Sequence, residues 1–335
     1  MIITLKKAIL HIIAPGIDSS MYSATPLDLS DGATGAFIIS HLEKLYDNAT
    51  LRKGTFASNS GFKYHASQYK DGAVDFVEFS TIIAQKLQDG IAQSEIGLAS
   101  DIIVCECIIK ERRYIAVLKC DNKSGMSHRV ITDDDEVKNE IISFHAILPA
   151  ATQKLSECAF VDIDDFTIRF KGKSVTVNGE RLNLMSEVLL ECDSELSVSE
   201  TYSKVQNLAK KVSEEYGGDT VETDARIKQV VKEIPVDESK VEVSKITNAV
   251  FANAPAAKAE FEEKLKSASV PEAIERVEYI TKKANKKIKI LTDTEIEISM
   301  PAEFYKDGDN MEITRNGDGT VTIQLNNIRE IINKS

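Results

Sequence analysis

Tryptophan is absent from this 335-residue sequence, proline occurs only seven times, and no apolar run approaches the ~18 residues that a bilayer-spanning helix needs. These gaps exclude a helical membrane anchor and a proline-rich linker. Lys6 and Lys7 ahead of Ala8 to Ile13 imitate a signal peptide, but His11 interrupts the run and no small-residue cleavage site follows, so the segment is read as an opening strand. A cytoplasmic location is expected. Paired cysteines are missing too: Cys105, Cys107, Cys120, Cys158 and Cys192 are odd in number and lack C-x-x-C spacing, which argues against a zinc site or a disulfide framework. Cys105 and Cys107 share one face of a strand, where thiols act as small apolar groups.

An excess of positive charge is also lacking. The net charge is −12, and residues 1–195 carry 20 Lys and Arg against 28 Asp and Glu, residues 196–335 carrying 21 against 25. Phosphate binding is driven by clustered cations, so any nucleic-acid contact has to come from local grouping. Phosphate-cradling loops of the Walker or Rossmann type do not occur, nor does G-x-S-x-G. His11, His41, His65, His128 and His145 stand apart without metal-ligand spacing and read as core or surface histidines.

What is present is an ordinary globular mixture, 42% hydrophobic and 28% charged, long enough for two domains. Apolar spacing predicts a helix through Phe37, Ile38, Leu42, Leu45 and Tyr46, then a polar loop from Asn48 to Gly61. A second helix carries Phe76, Phe79, Ile83 and Leu87 on one stripe, with Gly90 beyond it. From Asp101 the period changes: Ile102 to Ile109 and Tyr114 to Cys120 flank a charged turn, Lys110 to Arg113, as an antiparallel hairpin. Ile141 to Leu148, Cys158 to Ile163, Thr167 to Lys171 and Ser174 to Val177 add strands, with turns at Pro149, Gly172 and Asn178-Gly179.

After Ser194 helical spacing dominates, over Ser197 to Tyr216, Asp224 to Ile234, Val243 to Phe251, Ala257 to Ser267 and Pro271 to Lys283. The chain closes with strands at Ile288 to Leu291, Glu295 to Met300, Met311 to Thr314 and Val321 to Leu325 around the turn Asn316 to Gly319. The expected fold is α+β: an antiparallel sheet with flanking helices over 1–195, then over 196–335 a helical region with a small C-terminal β-hairpin unit.

Positive groups are the informative feature. Lys282, Lys283, Lys286, Lys287 and Lys289 fall within eight residues without an acid. A helix C-terminus collects cations through its dipole, which accounts for Lys282 and Lys283 but not for the three beyond it. A second group comprises Arg112 and Arg113, Lys123 and Arg129, and Arg169, Lys171, Lys173 and Arg181; it forms one basic edge only if their turns converge. The stretch Phe62 to His65 with Tyr69 and Lys70 either stacks bases or packs a loop.

Acidic groups at Asp133 to Glu136 and Asp162 to Asp165 read as solvated loops; a magnesium-dependent nuclease would need Asp101, Glu106 and Asp121 to converge. Asp307 to Asn310 and Asn316 to Gly319 resemble pieces of a calcium loop without its closing glutamate, and read as turns. No metal or cofactor is expected.

Several segments carry a family resemblance: Leu42-Glu43-Lys44-Leu45-Tyr46, Phe56-Ala57-Ser58, Asp75 to Ser80, Tyr114 to Lys119, Ala159 to Ile163, Phe170 to Lys173, and the end from Ile296 to Arg329. In order and spacing they resemble the 37-kilodalton nucleoid-associated protein family of bacteria, the NdpA type, over nearly the whole chain. The resemblance implies a nucleoid-located, DNA-binding protein without cofactor or catalytic residues, concerned with chromosome organisation and in some members associated with type II topoisomerase. It supplies no DNA-contact motif, so the thirteen basic residues above are inferred from charge. A homodimer is expected from the prevalence of two-fold assemblies. The alternatives are a protein-interaction module, as a topoisomerase partner or phage-defence component, and the metal-dependent nuclease.

Overall fold

The structure is a computed structural model describing residues 2–14, 20–95, 99–133, 136–177, 179–235, 237–305 and 310–332. Asp134, Asp135, Asn178, Asp307, Gly308 and Asp309 of the expected turns and acidic runs lie outside the described residues. The chain folds as two units, Met1–Glu195 and Leu196–Ser335.

The first unit opens with β1 (Ile3–Ile13), α1 (Ala33–Tyr46), β2 (Arg52–Phe56), α2 (Gly61–Lys70) and α3 (Phe76–Ala92). Next come β3 (Ser100–Ile109), β4 (Arg112–Asp121), β5 (Lys123–Asp133), β6 (Glu136–Ile147), β7 (Glu157–Asp162) and β8 (Ile168–Lys171). It closes with β9 (Ser174–Val177), β10 (Glu180–Asn183), a π-helix at Leu184–Leu190 and β11 (Cys192–Ser194). Seven of these strands form one sheet in the order β1-β3-β4-β7-β8-β2-β11, every neighbouring pair antiparallel.

The central strands are continuously apolar because both sheet faces are covered. Ile102 and Val104 of β3 join a core with Phe62 of α2, Phe79 and Ile83 of α3 and Leu189 of the π-helix. Ile103, Cys105 and Cys107 pack on the other face with Ile38, Leu42 and Leu45 of α1. Both cysteines are fully buried, and burial pushes the Cys107 thiol up to about 12, so they serve as packing groups. His11 is buried as well; Ser23 N–H donates to its Nδ1 at 3.2 Å, leaving Nε2 to donate to Ser80 Oγ at 3.0 Å. Burial lowers its pKa to about 4, so the ring is neutral.

Helix α3 begins where Asp75 accepts from Glu78 N–H at 2.8 Å, and it buries the expected stripe of Phe76, Phe79, Ile83 and Leu87. Gly90 does not end this helix. It lies inside, where a Cβ would come within 2.8 Å of Val188 Cγ1, so its smallness admits the π-helix.

The polar loop expected between Asn48 and Gly61 is corrected at both ends. Residues Arg52–Phe56 form β2, whose partners β8 and β11 lie more than a hundred residues away, and Ser60 caps α2 by accepting from Lys63 N–H at 3.2 Å. Phe62 stacks on Phe56 and Tyr69 on Phe79, with ring centroids 5.8 and 5.3 Å apart. Two of the stretch's aromatic rings are therefore committed to the core.

The second unit contains α4 (Val198–Glu215), α5 (Thr220–Glu233), β12 (Lys240–Glu242), α6 (Val243–Val250), α7 (Pro255–Ser267), β13 (Ala273–Glu275) and α8 (Glu278–Ala284). A capping box starts α4: Ser197 Oγ accepts from Glu200 N–H at 3.2 Å while Glu200 accepts from Ser197 N–H at 2.9 Å. Gly217, at φ +75°, terminates it. Tyr202, Val205 and Val212 of α4 pack with Ile227, Ile246, Phe261 and Ile280 in one core.

The helix expected over Pro271 to Lys283 is real only from Glu278; Ala273–Glu275 instead pairs antiparallel with β12. The closing strands are β14 (Ile288–Leu291), β15 (Glu297–Met300), β16 (Met311–Arg315) and β17 (Val321–Leu325), forming two ribbons over a small cluster of Ile288, Met300, Ala302 and Met311. The α+β fold and terminal hairpin follow the sequence reading.

Candidate nucleic-acid interface

In the first unit the expected basic groups do not share one edge. Strand β4 runs from Arg112 to Asp121, and ten residues at ~3.3 Å each set its two ends about 30 Å apart. At one end, the turn between β3 and β4 carries Lys110 and Glu111 at φ 49° and 65°. Arg112 is bonded to both Asp162 and Asp165, which raise its pKa, and it is thereby neutralised. The Arg113 carbonyl accepts from Ile163 N–H at 2.9 Å, which ties this turn to the one between β7 and β8. Arg169 pairs in register with Phe160, and its guanidinium lies 5.3 Å from the Tyr46 ring, with Lys110 Nζ at 5.4 Å from the same ring.

Lys171 follows Arg169 by two residues on β8, level with the middle of β4, and the other members sit toward the opposite end. Lys171 is in register with Cys158, Arg181 with Thr176, and Lys123 Nζ donates to Gln153 Oε1 at 3.0 Å. Arg129 projects on the β5–β6 ribbon and is paired with Glu140 at 2.7 Å. Lys173 is held by Asp121 at 3.0 Å.

Asp121 and Lys173 belong to a charged group whose buried members, Lys119 and Glu157, the sequence did not single out. Lys119 Nζ lies 2.5 Å from Asp121 and 2.6 Å from Glu157, with side chains of Lys119 and Glu157 only 6% and 2% exposed. Burial opposes the ammonium, but Glu157 and Asp121 outweigh it and raise its pKa. The group borders a cavity of about 270 Å³ together with Glu95 and Thr176. The only signal in sequence was a lysine interrupting an apolar strand.

The acids of the nuclease reading do not converge. Asp101 and Glu106 are five residues apart on one strand and therefore point to opposite faces of the sheet. Glu106 accepts from the Tyr69 hydroxyl at 2.5 Å, whereas Asp121 is in register with Ser100 at the other end. Among the described residues no group of three or more His, Cys, Asp or Glu is placed to hold a metal ion.

In the second unit the lysine run straddles the exit of α8 and the start of β14. Lys282 pairs with Glu278 and Lys289 with Glu297, each at 2.6 Å. Between them Lys283 lies 5.5 Å from the Tyr279 ring, and Lys286 and Lys287 are exposed on the connecting turn. Among the described residues, Lys283, Lys286 and Lys287 make no ion pair with a carboxylate. The flanking lysines are paired at the exposed surface, and the central three have no carboxylate partner among the described residues.

The chain thus joins an α+β sheet unit to a helical unit that closes in two β-ribbons. The chain belongs to the family of the nucleoid-associated protein YejK, whose sequence pattern matches residues 9–333. No curated protein matches the chain. No helix among the described residues is long and apolar enough to cross a membrane.

Proposed function

We propose that this protein is a non-catalytic, nucleoid-located DNA-binding protein that contacts duplex phosphates largely irrespective of sequence and contributes to chromosome organisation. The observation that carries this reading is the run Lys283, Lys286 and Lys287, free of carboxylate partners among the described residues while Lys282 and Lys289 are paired with Glu278 and Glu297. Lysines on a turn meet phosphate oxygens more readily than base edges, so binding extends to any sequence. Membership of a nucleoid-associated family supports it independently. Lys171 and Arg181 of the first unit, which likewise make no carboxylate pair among the described residues, are secondary candidates.

The test is a gel-shift series on unrelated duplexes with Lys283, Lys286 and Lys287 all replaced by glutamate. Affinity is expected to fall equally for every sequence, and the dependence of log K on log salt to flatten by about 0.9 per lost contact. Unchanged binding would reject this patch. A second reading, a module docking onto a basic protein surface such as that of a type II topoisomerase partner, draws on the net charge of −12. A pull-down that survives nuclease treatment, with no shift of bare DNA, would select it.

A further inference from the structure

Strands β5 and β6 pair with each other and, among the described residues, with no other strand. Directly opposed residues of an antiparallel pair share a face, so the register sorts the side chains of this ribbon into two sets. One face is charged: Arg129 stands opposite Glu140 and Lys138 opposite Ile131, and Arg129 and Lys138 both reach Glu140 at 2.7 Å. The other face carries Met126 opposite Ser143, His128 opposite Ile141, Val130 opposite Asn139 and Thr132 opposite Val137. It holds no lysine, arginine, aspartate or glutamate.

All eight residues of that second face are exposed. Its apolar members are among the most exposed on the chain, Met126 at 74%, Val130 at 55%, Val137 at 65% and Ile141 at 81%. At the base of the ribbon, Gly125 has no room for a side chain, because a Cβ would lie 2.5 Å from Ile147 Cδ1. A two-stranded ribbon with nothing packed on it is marginal in water, and contiguous exposed apolar surface marks a contact.

The chemistry of the face selects its occupant. Without a cation it offers nothing to phosphate. A standing need for cover calls for a partner present wherever the chain is made, and a second copy meets that condition. Charge points the same way: each copy carries −12, so two copies repel over most of their surfaces, and this neutral strip lets them approach without burying an ion. The eight residues present roughly 600–800 Å² per copy, so two such faces bury on the order of 1,200 Å², within the range of specific dimers.

We propose that the uncharged face of the β5–β6 ribbon is a self-association surface, packed against the same face of a second copy about a two-fold axis. The inference stands apart from DNA binding and is tested on nuclease-treated, full-length protein. Sedimentation equilibrium is expected to give a dimer for the wild-type chain. Combining Val137→Glu with Ile141→Glu should weaken dimerisation at least tenfold, whereas Lys138→Gln on the charged face should leave it unchanged.

A second measurement covers the case in which the double variant fails to fold: Ile141→Cys should be cross-linked between copies by a short bis-maleimide. The wild type, whose cysteines are buried apart from half-buried Cys192, is the control. A wild-type monomer at tens of micromolar would overturn the proposal and leave the face to a different protein. A dimer indifferent to the double substitution, or absence of the Ile141→Cys cross-link, would overturn it equally.

Discussion

Lys119 shows how much one residue's surroundings matter. In sequence it merely breaks the apolar rhythm of Tyr114 to Cys120; in the fold it is the countercharge of two carboxylates at one end of the sheet. A buried ion pair adds little net stability over apolar packing, but removing one partner strands the other in a poor solvent. Replacing Lys119 by methionine is therefore expected to cost about 3–5 kcal/mol in urea denaturation, because the buried Glu157 loses its ion-pair partner. Adding Glu157→Gln to Lys119→Met should recover part of that loss. A loss below about 1 kcal/mol would show the cluster to be well hydrated.

Among the elements, those legible in sequence are closed by nearby residues. Helix α4, expected over Ser197 to Tyr216, is closed by the capping box of Ser197 and Glu200 at its start and by Gly217 just past its end, all within or beside its own span. Ser197→Ala is expected to remove about 1 kcal/mol from the thermal stability of the second unit, with Ser197→Thr retaining most of it. The β16–β17 hairpin was equally readable, its strands joined by the turn Asn316 to Gly319. The elements that sequence misplaced owe their form to distant partners. Arg52–Phe56 has no apolar alternation and is a strand because β8 and β11 flank it, and Ala273–Glu275 leaves its expected helix because Lys240–Glu242 offers a ladder. The β5 half of the exposed ribbon went unread because its polar, glycine-containing start resembles a loop.

At the scale of the whole molecule, each core cluster lies within one of the two units: the two sheet-face cores in Met1–Glu195, the helical core and the small ribbon cluster in Leu196–Ser335. The segment 196–335 produced alone is accordingly expected to unfold cooperatively with a helical circular-dichroism signal, since none of its core residues comes from outside it. A broad, non-cooperative melt would show that it borrows stability from the rest. Charge, too, takes its meaning at this scale. A chain of net −12 holds a polyanion only where folding leaves cations unopposed, and five of the thirteen expected residues (Arg112, Arg129, Lys173, Lys282 and Lys289) are opposed.

The sequence by itself determined the fold class, the helical character after Ser194, the terminal hairpin and the position of the densest lysine run, because each depends on spacing within a few turns of chain. Only the tertiary structure decided which of those cations stay free. Arg112 is silenced by Asp162, fifty residues further on, and the two ends of β4 hold apart arginines and lysines that a linear reading grouped together. The reason is physical: ion pairing and side-chain exposure depend on distances of a few ångströms in space, which separation along the chain does not encode.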